Sequence, residues 1–229
     1  MDDRFARSES LFGKDSIQKL NNSKVIVFGL GGVGSAVCEA LARGGIGSFA
    51  LVDFDTVDIT NINRQLIALT ETVGLKKTDV EEKRILSINP EVVIKKFDVM
   101  YLPENADKID LDGYDYIIDA IDNVSAKIEL VSRAKALGIP IISSMGTGNK
   151  ICPEMLEIAD ISKTEMCPLA RVMRRELRNR GINHLTVVYS KEKPVESSSG
   201  RVPASSSFTP PVAGYLIASK VIKDISNIK

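Results

Sequence analysis

The stretch Gly29-Leu30-Gly31-Gly32-Val33-Gly34 follows the apolar run Val25-Ile26-Val27-Phe28 and precedes an Ala-rich segment, so a strand is expected to enter a glycine turn that opens a helix. Such a turn lets backbone N–H groups approach a phosphate, which then rests on the positive end of the helix. Asp53, nineteen positions after Gly34 within Leu51-Val52-Asp53-Phe54-Asp55, stands where an acid accepts ribose hydroxyls. These residues alone imply a nucleotide. One amide, Asn61, and two cations, Arg64 and Lys77, follow the acidic strand end. A dinucleotide carries two phosphates and needs few such charges, whereas a triphosphate attacked at its α-phosphate needs several. The pattern therefore favours a nucleoside triphosphate. Each residue also has a plainer explanation. The glycines could form only a tight turn, Asp53 and Asp55 could cap a loop, and Arg64 and Lys77 could be solvated. Asp122, just past an apolar strand end, could cap the helix that follows.

Alternating elements must position these groups. Lys24–Phe28, Ser48–Val52, Val92–Phe97, Tyr114–Asp119 and Ile139–Ser143 are short Val- and Ile-rich runs expected as strands. Gly34–Arg43, Lys77–Ser87 and Val124–Leu137 carry helical apolar spacing between them. This alternation predicts an α/β fold with a Rossmann-like, doubly wound, mostly parallel sheet and its ligand at the carboxyl ends of the strands. Later, Met155–Ile161 and His184–Ser190 read as strands and Leu169–Arg180 as a basic helix. Ser197–Ser207 is a Ser-rich loop expected to be mobile, and Pro210-Pro211 opens a last helix to about Ile225. One domain over residues 1–229 is expected, with a nucleotide-binding core at 1–150 and a small C-terminal substrate lobe and final helix at 151–229.

Five motifs in order carry a family resemblance: the glycine turn, Val52-Asp53-Phe54-Asp55, Asn61-x-x-Arg64-Gln65, Gly74-x-x-Lys77 and Asp119-Ala120-Ile121-Asp122-Asn123. Together they resemble the adenylating enzymes that activate ubiquitin and their bacterial relatives in thiamin and molybdopterin synthesis. The resemblance runs from Arg4-Phe5-Ala6-Arg7 to Val212-Ala213-Gly214. It implies that Gly29, Gly31, Gly32, Gly34, Asp53, Asp55, Asn61, Arg64, Lys77 and Asp122 bind ATP. It also implies that Asp122 holds Mg²⁺ and that Arg7 enters the partner subunit's site in a homodimer. Arg64, Lys77, Asn61 and Arg7 are thereby the expected catalytic set. A carboxylate that attacks the α-phosphate becomes an acyl-adenylate, and positioning with cationic groups suffices for that step. The resemblance also admits a bound monovalent cation.

Composition is compatible with such an enzyme and excludes several other classes. At 229 residues, with 44 % apolar and 26 % charged side chains, the chain can bury one substantial core. Its formal net charge is zero, so affinity for nucleic acid would have to come from a local patch. Cys38, Cys152 and Cys167 form no C-x-x-C pair, which removes the simple signature of a structural zinc site. No signal peptide follows Met1-Asp2-Asp3-Arg4, and the apolar stretch from Val212 to Ile222 is too short to span a bilayer. A cytoplasmic protein without a membrane partner is expected.

The patch exists. Arg171, Arg174, Arg175 and Arg178 recur at helical spacings of three and four, a cationic face suited to a phosphate backbone or else a solvated helix. With Ser207-Phe208-Thr209-Pro210-Pro211-Val212-Ala213-Gly214, this region is similar to one branch, the tRNA threonylcarbamoyladenosine dehydratases. The resemblance implies a tRNA substrate whose threonyl carboxylate is adenylated and then cyclised, releasing AMP and pyrophosphate. The alternative is an adenylating enzyme for a ubiquitin-like sulfur carrier in thiamin or molybdopterin synthesis, and a sulfur-relay protein partner is left open. A nicotinamide-dependent dehydrogenase is disfavoured by Asn61, Arg64 and Lys77. Cys167 precedes Pro168 at a helix start where a thiolate is stabilised, yet no resolving partner accompanies it. Cys38 is expected in packing, and His184, the only histidine, is not expected as a general base.

Overall fold

The computed structural model describes residues 3–196 and 203–228. Seven strands form one sheet: β1 (Lys24–Phe28), β2 (Ser48–Val52), β3 (Val93–Phe97), β4 (Tyr116–Asp119), β5 (Ile141–Ser144), β6 (Leu156–Asp160) and β7 (Thr186–Ser190). Their spatial order is β3-β2-β1-β4-β5-β7-β6, parallel throughout except that β6 runs antiparallel to β7 at one edge. The chain winds outward from β1 to β3 and restarts on the other side of β1 with β4. Loops after these two neighbouring strands diverge, and the crevice between them is the ligand position of doubly wound sheets.

Continuous apolar strands follow from burial on both faces. Side chains alternate sides along a strand, so Val25 and Val27 join one core while Ile26 and Phe28 join the other. The first core is covered by α2 (Lys14–Asn22), α3 (Gly34–Gly44), α4 (Lys77–Ile88) and α7 (Thr209–Ser226). The second lies under α5 (Val124–Leu137) and α6 (Pro168–Arg178), with Phe28 and Tyr101 meeting edge to face at 4.8 Å between ring centroids.

Residues after 150 continue the same sheet: β7 pairs with β5, and α7 packs along α3. Most expected elements lie within two residues of their observed bounds. Tyr114 and Asp115 precede β4 rather than forming it, because the Asp115 carboxylate caps the start of β1 by accepting the Lys24 N–H at 2.8 Å. The basic helix stops at Arg178, where Gly181 follows in a turn. Two helices before β1 were not anticipated, α1 (Ala6–Phe12) and α2. The first buries no side chain and the second buries only Ser16, Ile17 and Leu20, too few for a periodic signal. Of the Ser-rich loop, residues 197–202 lie outside the described residues. No described helix is long and apolar enough to cross a membrane.

Candidate active site

A cavity of about 790 Å³ opens where β1, β2, β4 and β5 end. The glycine turn forms its floor. Gly29, Gly31 and Gly32 line it, while Gly34 lies buried beneath at the first residue of α3. A Cβ on Gly34 would sit 1.8 Å from the Gly29 carbonyl oxygen, so no larger residue fits there. Asp53 ties this turn to β2. Its Oδ2 accepts the Leu30 N–H at 2.6 Å and its Oδ1 accepts the Asp55 N–H at 2.8 Å. A carboxylate has about four acceptor positions, so room remains for hydroxyls at the cavity face.

The connection from β2 to α4 brings in the cations. Gly74 adopts φ +86°, a left-handed turn that folds the chain back on itself. Gly74 N–H then donates to Val57 O at 2.8 Å, and Lys77 N–H to Asp55 O at 3.0 Å. Lys77 is consequently buried at the start of α4, and its Nζ lies 2.8 Å from Asp55 Oδ2. Asp55 thus orients Lys77 toward the cavity both residues line. Asn61 is also buried, its Oδ1 accepting the Asp58 N–H at 3.1 Å, which leaves its amide hydrogens unspent on that bond. Arg64 donates to Thr60 O at 2.9 Å and Asn63 Oδ1 at 2.8 Å. Ser35 fastens this segment to the glycine turn, accepting from Leu66 N–H at 3.2 Å and donating to Gly31 O at 2.8 Å.

Gln65 was not among the expected site residues, although it follows Arg64 directly in the quoted motif. It is buried, lines the cavity, and its Oε1 has no hydrogen-bond partner among the described residues. A buried amide oxygen without a partner is costly unless a ligand or water donates to it.

At the end of β4 the competition over helix capping is resolved. Asn123, not Asp122, caps α5, its Oδ1 accepting from Ala126 N–H at 3.1 Å and Ser125 Oγ at 2.7 Å. Asp122 is left at the cavity wall, exposed, with no hydrogen bond or ion pair among the described residues. Behind it lies a buried network. Lys127 and Asp119 are both fully buried and form an ion pair at 3.0 Å. Lys127 also donates to Ile121 O at 2.9 Å, and Ser143 Oγ donates to Asp119 Oδ2. The carbonyl of Ile121 is thereby held one residue before Asp122.

The β5 side of the cavity includes Ser144 at the strand end, the loop 145–150 and the start of α6 at Cys167, Pro168 and Leu169. The basic face lies beyond it on the same helix. Ala170, Met173 and Leu177 anchor α6 in the core. Arg174 donates to Thr164 O at 2.8 Å and Oγ1 at 2.6 Å. Arg175 pairs with Glu176 at 3.0 Å, whereas Arg171 and Arg178 are exposed and unpaired among the described residues. None of the four lines the cavity, nor does Arg7, which is exposed on α1. Cys38 is buried in α3, where burial pushes its thiol pKa up. His184 is exposed, 3.2 Å from Asp160, and does not line the cavity.

A model of the ThiF family matches residues 5–229. The tRNA threonylcarbamoyladenosine dehydratase of Bacillus subtilis is 42 % identical, over 97 % of this chain and 94 % of that protein. The crystal structure of the Escherichia coli tRNA N6-threonylcarbamoyladenosine dehydratase in complex with ATP superposes with a TM-score of 0.91 at 34 % identity, covering 98 % of this chain and 94 % of that one. A sulfur carrier protein adenylyltransferase of Thermus thermophilus is 34 % identical over only 61 % of this chain and 52 % of its own length.

Removing Lys127 should test how much the cavity wall depends on the buried pair. Lys127→Met leaves the Asp119 carboxylate uncompensated and is expected to cost about 3–5 kcal/mol in urea denaturation. Asp119→Asn in the same chain should recover part of that loss. An unchanged unfolding midpoint in the single variant would contradict this account.

Proposed function

The chain belongs to the ThiF family, and from that premise we propose that it is an ATP-dependent tRNA threonylcarbamoyladenosine dehydratase. The observation that carries this reading is the full-length correspondence with dehydratases, alongside a cavity that gathers Asp53, Asn61, Arg64, Lys77 and Asp122 on its wall. The sulfur-carrier alternative corresponds to a smaller part of the chain.

In the proposed reaction an oxygen of the threonyl carboxylate attacks the α-phosphate of ATP. A carboxyl–phosphate bond forms, the α–β anhydride breaks, and pyrophosphate leaves. A nitrogen or oxygen of the modification then attacks the activated carbonyl, AMP departs, and a ring closes with net loss of water. The glycine turn and Asp53 take the phosphates and ribose, while Asn61, Arg64 and Lys77 face the charge that develops on the triphosphate. Asp55 orients Lys77 through their ion pair. Asp122 is the carboxylate that fits Mg²⁺, being unpaired at the cavity wall, since this ion is held by one or two carboxylates together with phosphate oxygens. When bound, the ion would neutralise phosphate charge. Residues 1–150 would thus carry the nucleotide site, and residues 151–229 the basic face for the tRNA. A cytoplasmic location suits that substrate. A monovalent cation and a sulfur-relay partner form no part of the proposed mechanism.

Replacing either Lys77 or Arg64 by Ala should reduce pyrophosphate release by more than the roughly 1.5–3 kcal/mol of a ground-state charged hydrogen bond. The assay compares ATP with modified tRNA, unmodified tRNA and a ubiquitin-like carrier; release driven by the carrier alone would transfer the reading to the alternative.

Arg7 acts across a homodimer in this proposal. It is exposed on α1, Leu11 one turn later is 76 % exposed, and Ile59, Leu69 and Leu75 expose further apolar surface on the β2–α4 connection. Sedimentation should find dimers at assay concentration, and a fully active monomer would end the in-trans role.

Arg171 and Arg178, exposed on α6, are the phosphate contacts for tRNA in this proposal. Reversing both to Glu should weaken tRNA binding and flatten its salt slope by about 0.7–0.9 per lost contact, with ATP affinity kept. Arg174 is left intact in this test because it holds Thr164. Unchanged tRNA affinity would make the helix a merely solvated face.

A further inference from the structure

Lys150 is a second buried cation of the cavity, and the nucleotide chemistry leaves it without a task. It is 2 % exposed and contributes to the wall on the β5 side, near the start of α6. Its ammonium donates to the Glu192 carbonyl, which uses one of three hydrogens. No carboxylate pairs with it among the described residues. The Glu192 side chain is turned elsewhere, accepting from Ile151 N–H at 3.0 Å and Cys152 N–H at 3.1 Å. Burial pushes the Lys150 pKa down, opposed by the nearby Cys167 thiol and Glu192. A buried ammonium whose hydrogen-bond partner is a carbonyl, with no carboxylate inside ion-pair distance, is a costly arrangement that an arriving anion would relieve.

The backbone around it is firmly set. Asn149 holds a left-handed φ of 56°, uncommon without glycine, and its Oδ1 accepts from Ala204 N–H at 2.7 Å. Its N–H donates to Ala204 O at 2.8 Å, and its carbonyl accepts from Val195 N–H at 2.9 Å. The Lys150 carbonyl accepts from Thr209 Oγ1 at 3.0 Å at the start of α7. Three separate segments thus brace the backbone of one loop and fix where its lysine starts. Backbone strain retained by such bracing is characteristic of sites that hold a ligand.

We propose that Lys150 binds the substrate carboxylate on the β5 side of the cavity and holds it for attack on ATP. This assignment rests on the dehydratase reading above, which makes the substrate a tRNA bearing one carboxylate on its modified adenosine. The triphosphate has its own cations in Arg64 and Lys77. Lys150 also supplies specificity. An unmodified tRNA brings no carboxylate and would leave the buried ammonium unpaired, and sites built around a polar contact reject analogues that lack it. Since the pairing forms before adenylation, its loss acts on substrate binding and KM more than on kcat.

The test compares the full chain, Lys150→Met and Lys150→Arg for binding to tRNA carrying threonylcarbamoyladenosine, to the same tRNA unmodified, and to ATP. Lys150→Met should lose about 10- to 100-fold in affinity for the modified tRNA, with unmodified tRNA and ATP bound as before. Lys150→Arg, which keeps the charge, should retain most of the preference. A Lys150→Met protein that binds ATP normally and still prefers modified tRNA as the wild type does would overturn the assignment alone. So would a loss of affinity for all three ligands that Lys150→Arg fails to rescue, since that would mark a structural role. A wild-type protein that neither prefers modified tRNA nor releases pyrophosphate with it would overturn the proposed function, and this assignment with it.

Discussion

Lys127 and Asp119 are both shut away from water, and breaking such a pair leaves a lone charge in the interior. The pair is useful because of what else it touches. Asp119 ends β4 and accepts from Ser143 on β5, while Lys127 reaches from α5 to the carbonyl of Ile121. Two strands, one helix and the connecting loop are therefore locked at the switch point of the sheet. Asp122 emerges from that loop, and the 145–150 loop leaves β5 one residue after Ser143. Both the proposed metal ligand and the proposed substrate loop inherit their positions from one buried charge pair.

The cavity separates its cations by the anions they await. Lys77 already has a carboxylate partner in Asp55, so it is held ready without a ligand. Lys150 hydrogen-bonds a carbonyl and forms no ion pair among the described residues. A paired cation is oriented at little desolvation cost and suits a nucleotide that presents many negative oxygens. An unpaired one discriminates, because its burial is repaid only by a ligand carrying charge to that spot. Beyond the rim, Arg171 and Arg178 remain in solvent, where their attraction is long-ranged and salt-dependent.

Legibility varied with how locally each feature is encoded. The strands were readable because Val25–Phe28 and Leu51–Val52 are apolar on both faces, as burial under helices on two sides requires. The glycine turn was readable because close backbone approach at Gly34 admits no other residue. Helices α1 and α2 were not, since they bury three side chains between them and are held by packing rather than by an apolar stripe. Gln65 stood in plain view within a motif, but an orphaned amide oxygen is a property of its surroundings. The capping choice between Asp122 and Asn123 likewise depended on one residue of register.

What the amino-acid order determined by itself was the sheet's alternation, the phosphate turn and the kinds of charge that follow β2 and β4. These are short-range properties of composition and spacing. Tertiary structure decided the rest: that Asp55 serves Lys77, that Asp119 takes Lys127, that Arg174 is spent on Thr164, and that Lys150 is buried against a carbonyl rather than in an ion pair. In sequence each of these is one charge among sixty, 30 basic and 30 acidic. Which charges meet, and which are left waiting, depends on desolvation and on partners far along the chain, and only the folded sheet brings those together.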